Sequence, residues 1–145
     1  MLQIIINGKQ CRVFIKYAMT TCDSFSLVFE KDDADKLRYV FQDVFSALAE
    51  FVSDRKNIGD HPDTGTSFQN SDMIFYECNK HTMAILQTAN TVLGWDGKTL
   101  PEELCFYRNG QKWFTCVCHE KYLFIYNETK DDIAFFKNEG IEYWQ

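Results

Sequence analysis

The spacing of apolar positions changes several times along this chain, and each change predicts a different element. Residues 2–6, LQIII, and 11–17, CRVFIKY, flank Asn7-Gly8. Asn-Gly takes the positive φ angles of a two-residue type I′ turn at low cost, so the segment predicts a β-hairpin. Phe25, Leu27 and Phe29 alternate with polar neighbours and predict a strand over 24–30. The period then becomes helical. Leu37, Val40, Phe41, Val44, Leu48, Phe51 and Val52 recur at steps of three and four, predicting an amphipathic helix over 33–53. Asp32, Asp33 or Asp35 would cap it and complement its dipole.

Residues 54–71 are polar and predict a long loop. DMIFYEC, 72–78, predicts a strand buried on both faces. Met83, Leu86, Asn90 and Leu93, beside Ile85, Ala89 and Val92, predict a helix over 80–93 that stops at Gly94. LCFYRNGQKWFTCVC then reads as strand, Asn109-Gly110 turn and strand, with a further strand at 122–127. A short helix at 130–138 comes next, capped by Asn127 or Thr129 and ended by Gly140, and IEYWQ predicts an edge strand. The expectation is one α+β domain over 1–145, mainly antiparallel, built from Asn-Gly hairpins with three helices packed against the sheet. Both 1–78 and 104–145 read βββαβ, which raises a pseudo-repeat.

Composition narrows the function classes. With 145 residues the chain can bury a core without staples. Its 13 Phe, 7 Tyr and 3 Trp suit sheet faces, cores and protein interfaces. The net charge of −6 disfavours direct nucleic-acid binding, which needs clustered Lys and Arg, and favours a basic protein partner. Acid excess concentrates in 32–60, with seven acidic and four basic side chains, and from 101 onward, with eight and five. No apolar run reaches the length of a membrane span, and MLQIIINGKQ lacks the basic start of a signal peptide. A cytoplasmic setting is therefore the expectation, with six reduced cysteines and no membrane partner.

Several short motifs carry candidate chemistry. HPDTGTS, 61–67, contains the Asp-Thr-Gly-Thr tetrad of aspartic proteases, but the residues before it are polar and broken by Gly59 and Pro62. Such a site needs a supporting apolar strand and a second carboxylate, so Asp63 reads as part of a binding loop. Its oxygens, with those of Asp60, fit no regular cation loop. Cys116-Val117-Cys118-His119 has zinc-compatible residue types, yet the spacing lacks the turn that wraps a metal, and buried thiols are expected. His119 reads as a turn residue. Cys78, with Lys80 and His81 at a helix start, is the nearest approach to an activated thiol.

No catalytic residue, metal or cofactor is assigned on this reading. The expected function is a non-catalytic, acidic protein-binding domain, of the inhibitor or immunity and anti-defence type, covering a basic or nucleic-acid-binding surface of another protein. Asp32, Asp33, Asp35, Asp60, Asp63, Trp113 and Trp144 are the candidate partner-binding residues. The alternative is a small cytosolic enzyme or ligand-binding domain with a Cys/His pocket, built from Cys78, His81 or the 54–71 loop.

Overall fold

In the computed structural model, which describes residues 1–145, the two ends of the chain lie side by side at one edge of a sheet. The strands are β1 (Leu2–Ile5), β2 (Ser24–Glu30), β3 (Val52–Asp60), β4 (Ser67–Glu77), β5 (Glu102–Arg108), β6 (Gln111–Val117), β7 (Tyr122–Ile125) and β8 (Glu142–Trp144). They form a single antiparallel sheet in the order β3-β4-β2-β5-β6-β7-β1-β8. Four helices accompany it: α1 (Gly8–Thr21), α2 (Gln42–Leu48), α3 (Lys80–Leu86) and α4 (Lys130–Glu139). The architecture is α+β, with one helix more than the three expected.

The extra helix comes from the first Asn-Gly pair. Asn7-Gly8 starts α1 instead of turning a hairpin. The Asn7 side chain accepts the Gln10 N–H at 3.0 Å, while the Gln10 side chain accepts the Asn7 N–H at 3.0 Å. This reciprocal cap satisfies two of the donors that every helix start leaves free. Cys11, Phe14, Ile15, Ala18 and Met19 then fall on one stripe, and all five are buried. Asn109-Gly110 lies between β5 and β6, with φ of 51° and 77°. The same dipeptide thus has opposite uses, decided by the downstream residues: a 3–4 periodicity after Gly8 and a strand after Gly110.

The expected helix over 33–53 is largely absent. Only Gln42–Leu48 is α-helical, and a 3₁₀ turn at Ala49–Phe51 leads into β3. Tyr39 stops the helix from starting early. It bridges to Lys31, packs on Phe29 with ring centroids 5.6 Å apart, and donates its hydroxyl to Asp72 at 2.6 Å. Val52 onward pairs with β4, so the predicted 54–71 loop is a hairpin of two long strands. The 80–93 helix ends at Leu86, and a 3₁₀ turn covers Val92–Gly94. Residues 1–78 therefore run βαβαββ, whereas 102–144 run βββαβ; the pseudo-repeat fails on element order.

The core lies between the sheet and the helices. Phe25, Leu27 and Phe29 of β2, Ile74 and Tyr76 of β4, and Leu104 and Phe106 of β5 join Phe14, Ile15 and Ala18 of α1 in one buried cluster. Thr129 caps α4 and Gly140 ends it at φ 67°, a left-handed conformation that glycine adopts without strain. Asp132, fully buried in α4, locks this end of the molecule. It receives Arg108 in a two-pronged pair, the Trp113 indole N–H at 3.0 Å and the Tyr17 hydroxyl at 2.7 Å. Trp113, expected at a partner surface, is therefore a core residue only 1% exposed, with the Arg108 guanidinium 4.1 Å from its ring.

Candidate functional site

The sheet has a second face, and its two halves differ. Side chains alternate across a strand, so neighbours of the core residues point away from the helices. Backbone pairing aligns one row of these across seven strands: Phe75, Ser26, Cys105, Thr115, Phe124, Gln3 and, at the edge, Trp144. Ser26, Cys105 and Thr115 are buried, whereas Phe124 and Gln3 are half-buried and Trp144 is 42% exposed.

The covered half is roofed by the tip of the β3–β4 hairpin, which is the HPDTGTS stretch. His61 is 1% exposed, and its Nδ1 accepts the N–H groups of Asp63 and Thr64 at 3.0 and 3.3 Å. Tyr107 donates its hydroxyl to Asp63 at 2.7 Å, and Ser26 lies 3.1 Å from the same phenol oxygen. Thr64 and Thr66 both donate hydroxyls to Glu103, a buried carboxylate at φ 55°. Asp63 therefore faces inward. Its Oδ2 is tied to Tyr107, and the residue is half-buried.

This network holds the one close Cys–His contact of the molecule. Cys105 Sγ lies 4.0 Å from His61 Nε2. Because Nδ1 accepts two backbone N–H groups, the proton of the neutral ring sits on Nε2. The ring therefore donates toward the sulfur and cannot take a proton from it. Burial lowers the His61 pKa to about 4, with Asp63 opposing and Lys112 reinforcing the shift. Burial likewise raises the Cys105 thiol, so the thiolate is disfavoured. The pair is a packed polar contact beneath a roof, not a nucleophile and its base.

The remaining sequence candidates are dispersed. Burial and nearby Cys22, Asp23 and Glu77 raise the Cys78 thiol to about 12, and His81 is exposed and stacks on Phe51 at 5.8 Å. Cys116 and Cys118, expected as separate thiols, are joined in a disulfide: β6 ends at Val117 and the 3₁₀ turn at Cys118–Glu120 brings the two sulfurs together. No group of three or more His, Cys, Asp or Glu side chains is arranged to hold a metal ion. Asp32, Asp33 and Asp35 lie in the loop before α2. The Asp32 carboxylate accepts the Ala34 and Asp35 N–H groups, Asp35 accepts that of Leu37, and Asp33 pairs with Lys36 at 3.3 Å. Asp60 is exposed and bonded to Ser67 at 2.9 Å.

The uncovered half carries an apolar strip, of which only Trp144 stands out in the sequence. Tyr122 and Phe124 of β7 and Tyr126 just after it succeed one another, with ring centroids 6.1 and 6.5 Å apart. Ile5 and Trp144 lie beside them on β1 and β8; Ile5, Tyr122 and Trp144 are 50%, 45% and 42% exposed. The signal was present as YLFIYN, in which alternate residues are aromatic, but period alone does not say which face is covered. The rim is charged, with Glu120, Lys121 and Glu142 exposed and Lys112 over the Tyr126 ring at 4.3 Å.

An acidic cleft of about 340 Å³ adjoins the strip across the turn that holds His119. Glu30, Glu102, Thr66, Phe68 and His119 are among its lining residues. Burial, Glu103 and Glu30 raise the Glu102 pKa to about 7, with His119 opposing. A cation placed there would favour the carboxylate form, which makes the cleft receptive to a basic group. No protein family, curated protein or solved structure matches this chain. No helix is long and apolar enough to cross a membrane.

Proposed function

We propose that this protein is a non-catalytic binding domain that covers part of another protein with the β7-β1-β8 face. The observation that carries the reading is the strip of Ile5, Tyr122 and Trp144, all about half exposed on three adjacent strands. Exposed aromatic side chains of this kind are typical interface anchors. Burying the exposed part of Trp144 alone would contribute roughly 2 kcal/mol at about 25 cal/mol per Å². The adjoining cleft with Glu30 and Glu102 would take a Lys or Arg from the partner, and the net charge of −6 would steer a basic surface toward it. Blocking such a surface is how an inhibitor or immunity-type protein would act, which is the physiological role proposed here.

Co-purification from source lysate tests this reading, with wild type compared against Tyr122→Asp/Trp144→Ala. A stoichiometric partner retained by wild type and lost by the double variant is expected. Recovery of no partner, or equal recovery by both, would count against it. A second, enzymatic reading would make Cys105, 4.0 Å from His61, the nucleophile, and the His61 tautomer weighs against it. Iodoacetamide labelling of the folded protein at neutral pH separates the two: an inert Cys105 is expected of the binding domain, rapid alkylation of a catalytic thiol.

A further inference from the structure

The opposite side of the molecule has a different electrostatic character. α1 carries Lys9, Arg12 and Lys16, and α3 carries Lys80; neither helix contains an Asp or Glu, although the chain has 21 acidic against 15 basic residues. Lys9, Arg12 and Lys16 are exposed, and none belongs to any of the protein's ion pairs. Their spacing of three and four places them on one stripe, about 10 Å long at the helical rise. Beside the stripe runs a groove of about 500 Å³ between α1 and α3, floored by Val13 and Met83. Gln87 donates to the Arg12 carbonyl at 3.3 Å and ties the two walls together.

We propose that this groove is a second docking site, taking an acidic amphipathic helical segment of a partner protein. Charge complementarity supplies the argument. Acidic side chains three and four apart on the incoming helix match the Lys9, Arg12 and Lys16 stripe, and an apolar side chain between them meets Val13 and Met83. Methionine adapts its shape to such a guest. A nucleic acid fits less well. The groove has no aromatic side chain on which a base could stack, and the rest of the molecule is acidic enough to leave the whole at −6 despite these cations.

The test uses fluorescence anisotropy with a labelled synthetic helix bearing leucines on one face and glutamates on the other. Saturable binding is expected, weakened at least about tenfold by Arg12→Glu/Lys16→Glu and likewise by Met83→Asp, but unchanged by Tyr122→Asp/Trp144→Ala. The same helix with lysine in place of glutamate should show no binding that Met83→Asp weakens, since any attraction to the acidic cleft lies elsewhere. Thermal melts of each variant show whether it is folded, and Arg12→Glu/Lys16→Glu alters only exposed positions. Absence of saturable binding overturns the proposal. So does binding indifferent to Met83→Asp and displaced by oligothymidylate, which would mark a plain polyanion site. Equal, Met83-dependent binding to phosphatidylglycerol vesicles would reassign the groove to an anionic membrane surface and overturn it too.

Discussion

Single residues set the strongest constraints in two separate buried polar clusters. Burial alone would raise the Asp132 pKa, but hydrogen bonds from Arg108, Tyr17, the Thr129 N–H and Trp113 outweigh it and hold the group at about 2. The folded value lies below the ordinary 3.8, so its stabilisation is complete above pH 4 and is lost as pH falls toward 2. Asp132→Ala leaves Arg108 largely buried and unpaired, and should cost roughly 3–5 kcal/mol in urea unfolding at neutral pH. The difference from wild type should narrow below about pH 3; a cost below about 1 kcal/mol at neutral pH would mean the cluster is dispensable. His61 has the same sign for another reason. Its folded pKa of about 4 lies below the ordinary 6.5, so protonation between those values opposes the folded roof. Amide exchange at Asp63 and Thr64 should accelerate as pH falls from 6.5 toward 4, after correction for intrinsic rates. Constant protection would show that the ring does not hold the turn.

At the scale of elements, the hairpin tip behaves as a lid on the covered half of the sheet. Thr64→Val with Thr66→Val removes both hydroxyl donors from buried Glu103 and should destabilise the protein by about 2–4 kcal/mol, read as a loss of Tm. The same variant should let a thiol reagent reach Cys105; an unchanged labelling rate would mean something else excludes it. This hairpin was illegible in the sequence because β3 is the edge strand, the start of β4 extends past β2, and both are mostly polar on both sides. Strands at such an edge are held by backbone pairing, which leaves no apolar alternation to read. Long-range pairing also explains the false helix over 33–53. Leu37 fits the helical spacing, yet it is 97% exposed, because Tyr39 and Val52 are claimed by Asp72 and by β4. α4, β7 and β8 were legible because caps, period and neighbours agree there. α1 was legible in principle: the Asn7 and Gln10 cap and the Cys11, Phe14, Ile15, Ala18 and Met19 stripe are all in the sequence, but Asn-Gly invites the hairpin reading first.

For the whole molecule, the layers divide the surface into two chemically distinct sides. The helix side exposes the cations of α1, and the sheet side exposes aromatic residues beside an acidic cleft. Only Trp144 of that aromatic strip could be singled out in advance, since exposure depends on which half of the sheet the hairpin roofs. The core aromatics Trp95 and Trp113 serve as internal references, being 0% and 1% exposed. Hydroxyl-radical footprinting of the isolated protein and of its complex with the captured partner tests the binding face most directly. Oxidation of Tyr122, Tyr126 and Trp144 in the free protein and their protection in the complex is the expected result, with Trp95 and Trp113 unreactive throughout. Oxidation of Tyr122 and Trp144 that persists unchanged in the complex would contradict the assignment of this face as the interface.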